Sequence, residues 1–151
     1  MHHFVRELFS NIFISMKKCF QCLNIKEYSL FYKNKSTKDG YSGICKECQL
    51  VNERKNNLKT KEWIISLKTK CCKCEENRHW VLDFHHKDPN IKNFNISEYS
   101  ISGTASFKTK KLKIENELSN CIVLCSNCHR DFHYMEKTNS ISIEDYLNIK
   151  K

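Results

Sequence analysis

Proline occurs once and glycine three times in the 151 residues, so residues that break helices or license unusual turns are scarce. Neither occurs from Cys48 to Lys70, and the spacing predicts a basic helix over about residues 47–68 with a break near Thr60. No apolar run reaches the roughly 20 residues of a transmembrane helix, which argues against a membrane partner. A secretory segment is also missing. Phe4, Val5, Leu8, Phe9, Ile12 and Phe13 form a helical apolar stripe, but the basic start and small-residue cleavage site of a signal peptide are lacking. Residues 1–16 therefore read as a packing helix or as an extension upstream of a start at Met16. Without a secretory route a disulfide framework has no oxidising compartment, and an intracellular location is expected. Acidic residues are the scarcer charge: 17 against 26 basic ones, a formal net charge of +9. That surplus attracts polyanions, although charge alone describes a solvated lysine-rich surface equally well.

Cysteine is abundant instead. There are ten, too many for packing alone in a chain of mean hydropathy -0.62, and they fall mostly as C-x2-C pairs. Cys19 and Cys22, with Cys45 and Cys48, enclose an aromatic segment (Tyr28, Phe31, Tyr32) and a turn at Lys38-Asp39-Gly40. Two such pairs suit one tetrahedral zinc. Cys71 and Cys74, with Cys125 and Cys128, make a second set and leave Cys72 spare. Four thiolates close the zinc shell and leave no position for water, so both ions are expected to be structural.

Between these pairs the pattern alternates. Trp80 to Phe84 reads as a strand running into His85-His86 and stopped by Asp88-Pro89. The polar stretch 90–106 reads as a loop or insertion. A helix over 107–118 carries Lys108, Lys110, Lys111 and Lys113, Ile122 to Leu124 is a second strand, and a helix from Ser126 bears Cys128, His129, Phe132 and His133. Ser142 and Asp145 resemble a capping box for a short terminal helix. The expected division is 1–16 helix or extension, 17–50 four-cysteine module, 51–69 linker helix, 70–137 principal domain and 138–151 tail or short helix. The fold class is α+β.

His129 and His133 lie i, i+4 on one helix face, a spacing that lets both imidazoles reach one ion. With His85 and His86 they converge beside a four-cysteine site, which core packing explains poorly. The span from Cys71 to His133 resembles the HNH endonucleases: C-x2-C, then Leu-Asp-Phe-His-His-Lys-Asp-Pro, then Asn-Cys-Ile-Val-Leu-Cys-Ser-Asn-Cys-His-Arg. The resemblance implies a zinc-stapled, treble-clef-like ββα-metal domain, with the N-terminal zinc module as a separate addition. By resemblance, His86 is the general base, and His85, His129 and His133 are ligands of a working Mg²⁺, Mn²⁺, Ni²⁺ or Zn²⁺. Asn120 is the residue that braces the hairpin and orients the base.

DNA is the implied partner. Lys92, Lys108, Lys110, Lys111, Lys113 and Arg130 are candidate phosphate contacts, which position a duplex without reading it. A lone site of this kind cuts one strand, so double-strand cleavage calls for a homodimer or two nicks. Phage or virus DNA processing, intron homing and restriction all suit such an enzyme. The alternative is a non-catalytic zinc-stapled nucleic-acid binder. Adjacent residues of a strand face opposite ways, so a site that places His85 and His86 at one ion requires the strand to end or twist there.

Overall fold

A computed structural model describes residues 15–149; the stripe from Phe4 to Phe13 lies outside them. The described residues form two compact units, divided after Arg54, with mixed helices and small antiparallel sheets.

In the first unit β1 (Met16–Lys18) pairs with β2 (Ile25–Glu27), and β3 (Phe31–Lys33) with β4 (Tyr41–Cys45). The Cys19–Cys22 knuckle turns back through Leu23 at φ 62°, where its N–H reaches the Cys19 carbonyl. The second hairpin closes through Gly40 at φ 76°, a left-handed conformation that a side chain would strain. The buried core is Cys19, Phe31, Cys45 and Cys48. Among the described residues, three of the four members of this core are thiols.

Helix α1 (Lys46–Leu67) follows directly. The break expected near Thr60 is absent. Thr60 is fully buried, and its hydroxyl donates to the Asn56 carbonyl one turn earlier at 2.8 Å, which satisfies it without interrupting the helix.

In the second unit β5 (Leu82–His86) pairs with β6 (Cys121–Cys125) over its whole length, from Leu82 opposite Cys125 to His86 opposite Cys121. The strand thus starts two residues later than expected. His79 to Val81 form a 3-10 turn and Trp80 stays exposed. Stretch 90–106 is not a loop throughout: α2 (Ile96–Ile101) is capped by Asn95 and buries Ile96 and Ser100. Its polarity hid one apolar anchor, since Ile96 packs with Ile64 of α1 and Ile114 of α3 (Phe107–Leu118).

Helix α4 (Ser126–Asn139) begins at the second knuckle, with Cys125 as its cap. The terminal helix α5 (Ile143–Asn148) starts at Ser142, which accepts from the Asp145 N–H. It buries Tyr146 beside Cys71, Cys125, Cys128 and Phe132. The Tyr146 hydroxyl lies 2.9 Å from Asp131 and 3.1 Å from the Cys128 carbonyl. The Lys73 ammonium donates to the Tyr146 carbonyl at 2.5 Å. No helix among the described residues is long and apolar enough to cross a membrane.

Candidate metal centres

Both four-cysteine sets converge, and all ten cysteines are free of disulfides. Cys19 and Cys48 bring their sulfurs to 3.8 Å, and Cys74 lies 3.8 Å from Cys125 and 3.7 Å from Cys128. A disulfide would need about 2.05 Å, whereas a tetrahedron with Zn–S bonds of about 2.3 Å has edges of about 3.8 Å. The spacing fits zinc, and the two sets define two structural zinc sites.

Electrostatics agree. Burial raises the Cys19 thiol, but the N–H groups of Cys22, Cys45 and Gln21 outweigh it and draw it down to about 6. In the second set burial is likewise outweighed at Cys71, by N–H groups of Cys125, Lys73 and Cys74, and the thiol falls to about 7. Cys48 and Cys128 are pushed up to about 12 by burial and the surrounding thiols. A divalent cation supplies the charge that lets the raised thiols ionise.

A third cluster is made of imidazoles. His85 from β5 meets His129 and His133 from α4, with ligand atoms all within 4.8 Å of one another. His85 Nδ1 lies 3.0 Å from His129 Nε2, which lies 3.2 Å from His133 Nε2. The sequence dictates this meeting: the zinc knuckle fixes the start of α4 against β6, and the i, i+4 spacing stacks both helix histidines towards β5. His85 is 8 % exposed, its ring edge-on to Phe132 with centroids 5.0 Å apart. Burial, then the neighbouring His129 and His133, depress its pKa to about 4. Burial and His133 lower His129 as well. Both rings are thus neutral at pH 7, the form that ligates a cation. Glu136 accepts from His133 Nδ1 at 3.0 Å, which turns Nε2 towards the cluster.

His86 does not join this cluster. Both histidines remain in the regular strand, so they take opposite faces, and His86 turns to α3. There its Nε2 lies 2.8 Å from Glu117 Oε1. Glu117 is 1 % exposed and also accepts from the Asn93 N–H and side-chain amide, each at 2.9 Å. Burial alone would raise its carboxyl, but these bonds, with His86 and the Phe94 N–H, hold it below the usual carboxylate range.

Asn120 closes the hairpin through its backbone, where its carbonyl accepts from the Lys87 N–H at 2.9 Å. The side chain that reaches the His86 ring belongs to Glu117 instead. Among the phosphate-contact candidates, Lys92, Lys108, Lys113 and Arg130 are exposed and Lys111 is half-buried. Lys110 is not on the surface. It is 1 % exposed, and its ammonium donates to Asn57 at 2.6 Å and to the Ser100 carbonyl at 3.2 Å, so it is removed from the surface cluster expected around it. Comparison with protein-family models, curated proteins and solved structures finds no match.

Proposed function

We propose that the second unit is an HNH-type, metal-dependent DNA endonuclease that hydrolyses phosphodiester bonds, with the ββα arrangement of β5, β6 and α4 as its metal fold. One observation carries this reading above the rest. Consecutive histidines of one strand divide between a three-imidazole cluster and a separate histidine held by a buried carboxylate. A purely structural zinc protein has no use for either.

His85, His129 and His133 would hold the working cation. Three imidazole nitrogen donors suit Mn²⁺, Ni²⁺, Co²⁺ or Zn²⁺ more readily than Mg²⁺. A divalent ion there would offset charge developing on the phosphate and the leaving oxygen. His86 is the general base: an imidazole has the right basicity near neutral pH to take the proton of an attacking water. His85 and His86 are adjacent residues of β5, so the proposed base lies one residue from a proposed metal ligand. Lys92, Lys108, Lys113 and Arg130 supply exposed positive charge for backbone phosphates.

Nicking of supercoiled plasmid across Mg²⁺, Mn²⁺ and Ni²⁺ tests the reading. His86→Ala is expected to lower the rate by roughly 10²–10⁴ while two zinc ions and DNA retention persist. A His86→Ala protein that cuts as fast as the parent overturns it. Retention of DNA without nicking by any ion would indicate a zinc-stapled binder.

A further inference from the structure

We infer that Glu117 is a positioning residue for the His86 base, holding the proton of the neutral ring on Nε2 so that Nδ1 is the atom that accepts a proton. The inference rests on the nuclease reading above, but its geometry stands independently.

Glu117 presents two oxygens to donors from two segments. Oε1 takes the Asn93 N–H and the His86 ring; Oε2 takes the Asn93 amide. A carboxylate among so many donors is an acceptor only. The ring nitrogen facing it must therefore carry hydrogen, which in a neutral imidazole leaves the lone pair on the other nitrogen. Among the described residues no group hydrogen-bonds His86 Nδ1. No side-chain nitrogen or oxygen there is buried without a partner either. With 11 % of the His86 side chain exposed, Nδ1 reaches solvent. It is the only ring atom placed to take a proton from water.

The bond also fixes orientation. Asn93 holds both carboxylate oxygens, so Glu117 cannot swing away when His86 moves, and the ring is set against a carboxylate that is itself set. Water loses a proton to Nδ1 as its oxygen bonds to phosphorus; the phosphorus–oxygen bond to the leaving strand breaks with its electron pair on the strand's oxygen, which takes a proton from solvent. Nε2–H stays with Glu117 throughout, and the imidazolium formed is stabilised by that carboxylate, the logic of a base held by a buried acid.

The test combines spectroscopy with kinetics. Histidine-¹⁵N-labelled parent protein at pH 8 is expected to show a single Nε2–H tautomer for His86, assigned by the signal missing from His86→Ala. Glu117→Gln removes the charge at constant shape and offers an amide donor to the ring. The tautomer should then shift towards Nδ1–H, and kcat for plasmid nicking should fall about 10²- to 10⁴-fold. KM should stay within about threefold, with both zinc ions retained and binding of Ni²⁺ alone unchanged. Glu117→Asp, which keeps the charge, should recover part of kcat. An Nδ1–H tautomer in the parent overturns the inference whether or not the variants fold. So does Glu117→Gln nicking within threefold of the parent, an outcome that leaves the nuclease reading intact. A parent that holds the Nε2–H tautomer yet nicks with no ion overturns the nuclease reading and leaves the Glu117–His86 geometry standing.

Discussion

Replacing Cys125 by Ser should unfold the second unit and leave the first folded. Cys125 is both a ligand and the cap of α4, accepting from the Cys128 N–H. The core around it contains eight buried residues, three of them the ligands Cys71, Cys125 and Cys128. In that cluster only Leu82, Leu124, Phe132, Ile143 and Tyr146 remain as buried carbon, and the unit's other cluster adds Ile64, Ile96 and Ile114. A structural zinc contributes on the order of 10–16 kcal/mol of folding energy, whereas a domain's whole net stability is about 5–15 kcal/mol. Loss of the ion therefore removes about as much as the unit has to lose. Metal analysis should fall from two zinc ions per chain to one, with a cooperative loss of near-ultraviolet dichroism from Tyr146 and its surroundings. Cys45→Ser should give the reciprocal result, because among the described residues the first unit's buried core is Phe31 and three thiols. A Cys125→Ser protein that still binds two zinc ions, or keeps the second unit's tertiary signal with one, would refute this reasoning.

Lys110→Ala should cost about 2–4 kcal/mol in urea unfolding. It opens a cavity and strips the donor from Asn57 and the Ser100 carbonyl. Lys108→Ala, on the exposed side of the same helix, should leave stability unchanged and reduce the salt dependence of DNA retention by about one unit of slope. Acidification bears on His85. Its folded pKa of about 4 lies below the ordinary value, so between that value and pH 4 the unfolded chain binds a proton that the folded ring refuses. Stability from this group is full above about 6.5 and is lost as pH falls, by about 2 kcal/mol at pH 5. Comparing denaturant unfolding of parent and His85→Leu at pH 7 and pH 5 measures it, and equal pH dependence in the two proteins counts against the burial argument. Tyr146→Phe should lose about 1–2 kcal/mol in the same assay, since its hydroxyl meets Asp131 and the Cys128 carbonyl.

The parts written as fixed spacings were legible in the sequence. Both four-cysteine sets and the helix over 107–118 follow from C-x2-C pairs and a helical period, as does the pairing of His129 with His133; His85 as their partner follows from the family resemblance, and the expected convergence of His86 with them does not occur. What escaped was polar and inward. Lys110, Ile114 and Glu117 follow one another at i, i+4 and i+7, and all three are buried. That period was visible, but two of the three carry charge, and charge invites assignment to the surface. Lys110 therefore reads as surface with its exposed neighbours, and nothing in the pattern marks Glu117. Asn93 could not be found from pattern at all, because its role depends on a loop that folds back to α3. Within 90–106 a lone buried isoleucine, Ile96, was too weak a signal to predict a helix.

The histidine pair shows why strict alternation is an advantage for the chemistry proposed. A general base needs a free lone pair, and a divalent cation competes for the same lone pair. A His86 that faced the cluster would become a fourth ligand, and four protein donors would close the site to water and phosphate, as the thiolates do in the zinc sets. A base placed far away in sequence would avoid capture but would depend on tertiary packing for its distance. Adjacent positions in a continuous strand meet both demands: the backbone keeps the two rings one residue apart, while the pleat sends them to opposite faces. The sheet holds that geometry because β5 pairs through His86 itself, opposite Cys121, and the zinc knuckle four residues on anchors the other end of β6. The twist that a shared ion would require is therefore unnecessary. Glu117 completes the division by giving the second face its own anion, so that each histidine is held by the charge its task needs.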